Sequence, residues 1–396
     1  MGMGLKEIAT RFKERYIDER QLPEAARRQL QADRAGLPAH DAGPAAVAAA
    51  GIDWLKRSQD RSASNDGGSA RDYSLIKGWA TSYPETSGYI VPTLIAYADL
   101  DDDQELLARA RRMLDWLVAI QFPDGGFQGG KVDAEPRVPV TFNTGQILQG
   151  LAAGVRRFGD AYRAPMNRAA AWLRDTQDSD GCWRKHATPF AAPGEKAYET
   201  HVAWGLFEAA RLEANQGYGE AGLRQVRWAL SKQSANGWFA SNCLSSPDAP
   251  LTHTIGYVLR GVIEAYRYSE QADLLAAAQK TADALLEVIA ADGRIAGRYD
   301  RDWQPAADWV CLTGSVQIAA CWFLLHAITG KAAYLDAARR ANRFVRRTVL
   351  LDGDPDTLGG VRGAFPVDGD YGRFEYLNWA AKFCVDAQLL ELSASV

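Results

Sequence analysis

Four Asp-Gly or Asn-Gly steps, at Asp124, Asp180, Asn236 and Asp292, follow one another at intervals of 56 residues. In the first three, a Trp (Trp116, Trp172, Trp228) stands five residues before a Gln (Gln121, Gln177, Gln233), and that Gln precedes the Asp or Asn by three. Looser copies lie upstream, as Trp54, Gln59 and Asp66-Gly67, and downstream, as Phe344 and Gly359-Gly360. A spacing held over this length means one supersecondary unit repeated, and six units are predicted. A chain of 396 residues would otherwise suggest two or three domains, a soft prior that the repeat overrides.

Each unit has the same grammar. An amphipathic run comes first, such as Leu106–Leu117, with polar and basic residues on one side, which reads as a half-buried helix. The Asp/Asn-Gly step ends it, since Gly takes a left-handed cap at little cost. After a loop, a second run begins near Ser87, Asn143, Thr200, Thr252, Thr313 and Asn378, each a residue able to cap a helix start. These second runs are rich in Gly and Ala and apolar nearly all round, so they must be buried on every side. Half-polar helices alternating with fully apolar ones predict an outer ring around an inner ring. The expected fold is all-α, a closed (α/α)6 toroid over residues 44–396, with residues 1–43 as a helical arm that lies across the body or docks a partner. Closure also accounts for the lack of polar capping repeats, which an open solenoid needs.

On these repeats the chain resembles the α/α-toroid superfamily, where Gln-x-x-Asp-Gly-Trp/Phe motifs mark the squalene cyclase and prenyltransferase branch. The run Gly372–Phe383, with Cys311-Leu-Thr-Gly-Ser315, is also similar to uncharacterised bacterial proteins associated with exopolysaccharide synthesis. The resemblance implies the ring. It does not imply one activity, since such rings host terpene cyclases, glycosidases, lyases and transferases alike.

Composition narrows the partners. A net charge of −4 without a basic run gives no reason to expect nucleic acid. No apolar window of spanning length is expected, hence no membrane span. Five scattered cysteines without a CxxC pair read as reduced thiols, and the charged N-terminus shows no signal peptide, so a cytoplasmic protein is expected. No cofactor is expected. Cys243 and His253 hint at zinc, but no second ligand stands at a suitable spacing, so no metal is expected either.

In such a ring the long loops and the inner-helix N-termini share one rim around a central cavity. The catalytic candidates on that rim are Glu199, His201, His253, Tyr257 and Asp308. The two histidines hold the same place in adjacent units, and a His at a helix N-terminus stays neutral and can act as a base. Glu85, Glu199, Asp308 and Glu375 hold corresponding rim positions, and glycoside hydrolysis needs two facing carboxyls. The substrate-binding candidates are Asn143, Arg298, Trp303, Trp309, Arg373, Glu375, Tyr376 and Asn378, the aromatics as stacking platforms and the arginines as anion clamps. Asp99-Leu-Asp101-Asp102 spells an acid motif of terpene cyclases but falls at the opposite rim, where it reads as a solvated turn.

The expected function is a carbohydrate-active enzyme, of glycoside hydrolase or polysaccharide lyase type, whose partner is an acidic saccharide substrate. A terpenoid or polyprenyl enzyme is the alternative from the Gln-x-x-Asp-Gly repeats. A non-catalytic glycan-binding scaffold in polysaccharide synthesis is the third.

Overall fold

The computed structural model describes residues 19–394. Six outer helices are α2 (Pro44–Asp60), α4 (Gln104–Ile120), α6 (Arg163–Thr176), α8 (Tyr218–Leu230), α10 (Ala272–Val288) and α12 (Ala332–Arg346). They alternate with six inner ones, α3 (Pro84–Asp101), α5 (Thr141–Phe158), α7 (Thr200–Ala210), α9 (Thr252–Ser269), α11 (Leu312–Thr329) and α13 (Asn378–Ser393). A further helix, α1 (Glu24–Ala35), belongs to the leading arm. The protein is an (α/α)6 toroid, as the repeat implies.

The repeat motif is the joint between neighbouring units. Each Asp or Asn side chain accepts from the amide two residues on, Asp124 from Gly126 at 3.1 Å and Asn236 from Trp238 at 3.2 Å, which folds the step into a tight turn. Gly237 there has φ +85°, and a Cβ would lie 2.7 Å from the Lys280 carbonyl of the next outer helix. Backbone therefore touches backbone, and only Gly fits. The Gln stitches the same joint: Gln121 Nε2 donates to Gly125 O within its unit and to Pro165 O in the next, both at 3.0 Å. The Trp of the following outer helix then covers the turn, Trp116 over Gly68 and Trp172 over Gly126.

The sixth copy of this joint closes the ring. Gly359 abuts Ala50 of α2, and Trp54 of α2 covers Gly360. The first outer helix is thus the partner of the last inner one, with Gly51 against Val385 of α13. Asn378 Nδ2 donates to Ala70 O at 2.8 Å, and Thr93 Oγ1 to Asp386 at 2.7 Å. Short strands seal the same seam: β1 (Asp72–Ser74) lies between β2 (Gly78–Trp79) and β5 (Glu375–Leu377), all antiparallel, with Tyr73 opposite Tyr376. A second pair, β3 (Val310–Cys311) with β4 (Ala364–Phe365), ties units five and six.

The inner helices are buried over most of their length; α5 is buried from Thr141 through Val155. Their small residues let them approach closely, Gly145 against Val202 of α7 and Gly88 against Ile147 of α5. Helix α11 is uncharged for 18 residues, contrary to the expectation that no such window exists. It carries Gln317 and Ser315 and is walled by the neighbouring helices, which is where an uncharged inner helix belongs. At the inner-helix starts, Ser87, a predicted cap, and Thr144, next to the predicted Asn143, act differently. Ser87 and Thr144 donate to the carbonyls of Tyr83 and Val140, four residues back, and accept the amides of Ser69 and Phe127. They peg the long loops to the inner helices instead of capping helix ends.

Residues 1–18 of the arm lie outside the described residues. The rest lies across the sixth unit. Leu22, Ala26 and Leu30 are buried in the core, and Asp33 accepts from Val367 N at 2.8 Å and pairs with Arg362 at 3.0 Å. Asp99 and Asp102 end α3 on the far rim, where Asp99 pairs with Arg157, an exposed turn as expected.

Candidate active site

The inner-helix N-termini and the long loops enclose a cavity of about 390 Å³. Its floor is aromatic: Phe142 packs edge-on against Tyr198 (5.2 Å between centroids) and Tyr257 (5.1 Å), and Tyr89 lies beside them. Charged and polar groups converge above this floor.

Glu85, in the first turn of α3, is the one carboxyl among the described residues that lines the cavity. Its Oε2 accepts from Asn143 Nδ2 of α5 at 2.9 Å, and the Tyr83 hydroxyl bonds to it as well. Burial pushes its pKa up to about 7, against the opposing pull of the Tyr83 hydrogen bond and the Arg71 charge. Near neutrality this acid can therefore give up or take on a proton, which is what general acid–base chemistry requires.

Across the cavity stands His253, in the first turn of α9. Its Nδ1 bonds to Gln317 Oε1 at 2.8 Å; the amide oxygen accepts, so Nδ1 carries the proton and Nε2 keeps its lone pair. Burial lowers its pKa to about 4, so the ring is neutral. His201 was expected beside it in an equivalent place. The two are close, flanking Tyr257 at 4.4 and 4.3 Å, but they are not equivalent. A 3-10 turn, Ala197–Glu199, leads into α7, so Tyr198 takes the cavity position and His201 falls one turn deeper. There its Nδ1 bonds to Gln146 Oε1 at 2.6 Å, and its Nε2 is buried without a partner.

The third wall is the seam. Arg71 donates to Asp72 (2.5 Å) and Glu375 (3.0 Å) and lies over Trp379 at 5.2 Å. Burial alone would lower its pKa, but the two carboxylates outweigh that and hold it charged. Trp379 Nε1 donates to the Tyr371 hydroxyl at 2.9 Å, and the Tyr371 ring faces His253 at 5.4 Å. Strand pairing of β1 with β5 brings this set together from opposite ends of the chain.

Of the sequence candidates, Asn143, His253 and Tyr257 line the cavity, as does Glu85 of the four rim carboxyls, and Glu375 reaches it through Arg71. The others point elsewhere. Glu199 is buried beside Lys196 and Cys182, and burial pushes its pKa up to about 8. Asp308 is exposed on its loop. Trp303 donates to Asn236 O at 3.0 Å and Arg298 to Ala249 O at 2.9 Å, both holding loops. Trp309 covers Gly297. Tyr376 bonds to Gln29 of α1, Asn378 closes the ring, and Arg373 lies over Phe374. The expected pair of facing carboxyls is not formed by Glu199, Asp308 and Glu375. Arg71 and Tyr371 were missed because they lie in loops, which carry no periodic signal; Tyr89 lies in α3 beside the recognised start of that inner helix, and nothing in its type set it apart from a core aromatic. Among the described residues no cluster of His, Cys, Asp and Glu could hold a metal ion, and all five cysteines are buried free thiols.

No family model matches the sequence, and no curated protein does. Solved structures do resemble it. One is an unsaturated glucuronyl hydrolase specific for heparin, with a TM-score of 0.70 at 15% identity, covering 88% of this chain and 96% of that one. Another is the unsaturated glucuronyl hydrolase of Bacillus sp. GL1, responsible for degradation of glycosaminoglycan (TM-score 0.67, 15% identity, 91% and 96% covered). A third is a cellobiose 2-epimerase from Bacillus thermoamylovorans (TM-score 0.66, 12% identity, 86% and 95% covered). At such identities the likeness establishes the fold: the chain is an (α/α)6 toroid over nearly the whole length of these enzymes.

Proposed function

We propose that the protein is a carbohydrate-active enzyme of the hydrolase or lyase type, working on the end of an acidic oligosaccharide held in this cavity. The observation that carries the reading is Glu85, a buried carboxyl poised near neutrality in a bowl rimmed by Asn143, His253, Tyr257 and the Arg71–Trp379 pair. The volume, about 390 Å³, is at the small end of small-molecule sites, which suits one end of a chain better than the middle of a polymer. Unsaturated glucuronyl hydrolases and a cellobiose 2-epimerase share the fold, which supports the same class.

In this reading Glu85 is the general acid, kept protonated by its dry surroundings and aimed by Asn143. His253, neutral, accepts a proton at Nε2. Trp379 offers the sugar ring an aromatic face, and Tyr257, packed between the two histidines, floors the bowl. Because Glu85 is the one carboxyl among the described residues to line the bowl, proton donation by one acid is favoured over a displacement by two. The isoprenoid alternative also calls for an aromatic cavity with a buried acid, which this one has; the cations Arg71 and Lys131 in the lining favour the acidic saccharide.

Uronate-containing oligosaccharides test the proposal in one ultraviolet assay. A lyase creates the absorbance of a conjugated uronate, and a hydrolase of unsaturated ends removes it. Turnover that changes neither but exchanges solvent deuterium into the sugar indicates epimerase-type chemistry. If no uronate-containing or neutral oligosaccharide turns over, the proposal fails.

A further inference from the structure

The charges around the bowl are unevenly committed. Arg71, at the seam wall, already faces two carboxylates. The other cation in the lining, Lys131, stands on the mouth with its side chain 41% exposed, and its ion-pair partner among the described residues, Asp133, is 3.9 Å away. Asp133 in turn accepts a 2.7 Å hydrogen bond from Thr81. Beside Lys131 is Phe190, the most exposed aromatic among the described large hydrophobics at 53%, and it too lines the cavity.

Both residues are held in place. Buried Gln128 donates to the carbonyls of Lys131 (2.9 Å) and Val132 (3.2 Å), and Val132 N donates to Ser82 O at 2.8 Å. The Phe190 ring rests on the bare backbone of Gly130, where a Cβ would come within 2.6 Å of it. Ala192 N donates to Leu244 O at 2.8 Å and fixes the Phe190 loop to the next one. A flat apolar face and a cation on rigid supports, at the mouth of a sugar-sized bowl, form a second binding position.

We infer that Phe190 and Lys131 form an outer subsite that stacks the second sugar ring of the substrate and reads an anionic substituent, carboxylate or sulfate, on it. This rests on the saccharide reading above. The ring in the bowl meets an already neutralised arginine, so the charge that makes the substrate acidic is recognised one residue out.

Binding to the intact protein tests it, by calorimetry and by the change in intrinsic tryptophan fluorescence. The probes are glucose, glucuronate, cellobiose, the two disaccharide isomers that carry one carboxylate on either ring, and their sulfated counterparts. The better-bound anionic disaccharide exceeds cellobiose by about 3–10-fold, an advantage that shrinks in high salt. Lys131→Met erases that advantage without changing cellobiose affinity, and Lys131→Arg retains it. Phe190→Ala weakens every disaccharide by about 3–10-fold and leaves both monosaccharides unchanged. Comparing the carboxylate and sulfate arms shows which anion is read. The subsite is overturned if the anionic advantage survives Lys131→Met, which places the charge deeper at Arg71. It is equally overturned if Phe190→Ala weakens monosaccharides as much as disaccharides. If no probe binds the unaltered protein, the saccharide reading falls together with the subsite; binding that ignores both substitutions removes the subsite alone.

Discussion

Two buried glutamates give opposite expectations for activity and the same one for stability. Glu85 touches the cavity; Glu199 does not. Glu85→Gln keeps the shape and the Asn143 contact but cannot donate a proton, so turnover should fall by about 100-fold or more. As a general acid with pKa about 7, Glu85 makes the rate decline as pH rises through that value, and the variant's residual rate should lose this limb. Its raised pKa also means the folded state holds the proton more tightly than the unfolded one. The associated stability is complete below the ordinary carboxyl pKa of 4.5 and is lost as pH rises through about 7, by roughly 3 kcal/mol. Glu199 follows the same sign over a window that ends near 8. Glu199→Gln should therefore raise Tm at pH 9 relative to the unaltered protein, give no gain at pH 4.5, and leave kcat within about twofold. Loss of activity in Glu199→Gln with normal folding would restore it to the catalytic set. The sequence could place both acids on a rim but not aim them. Successive helical residues turn by about 100°, so the 3-10 turn before α7 was enough to trade Glu199 and His201 for Tyr198. Asn143 and His253 were legible because regular helix geometry fixes their direction.

At the scale of the element, the Gly-turn-Gln-Trp joint explains why the repeat was readable when the loops were not. Its residues are dictated by backbone contact between units, so their spacing cannot drift. Gly237→Ala puts a Cβ at φ +85° and 2.7 Å from the Lys280 carbonyl, and a destabilisation of about 2–4 kcal/mol is expected in urea unfolding. Gln121→Ala leaves the carbonyls of Gly125 and Pro165 without their donor and should cost about 1–3 kcal/mol. An unchanged midpoint in both variants would mean the joints are not what holds neighbouring units together. The loops between the joints have no such constraint: Arg298, Trp303 and Asp308 lie there, and spacing says nothing about whether they face the bowl or brace the loop.

For the whole molecule, closure distinguishes this ring from an open array whose end repeats can be trimmed. Removing residues 1–60 deletes α2 and strips α13, Gly359 and Gly360 of their partner. The truncated chain should lose cooperative folding, with far-ultraviolet dichroism and tryptophan fluorescence no longer melting together, whereas the two coincide in the intact protein. Sharp, coincident melting of the truncated chain would show the ring stable while open.

That seam also sets a schedule. Arg71, Tyr83 and Glu85 leave the ribosome about 290 residues before Tyr371 and Trp379 do. At about 5–20 residues per second, the first half of the pocket waits roughly 15–60 s for its opposite wall. A nascent chain therefore has no finished bowl until α13 has emerged, and one that stops short of it is left with Glu85 facing water across an open wall.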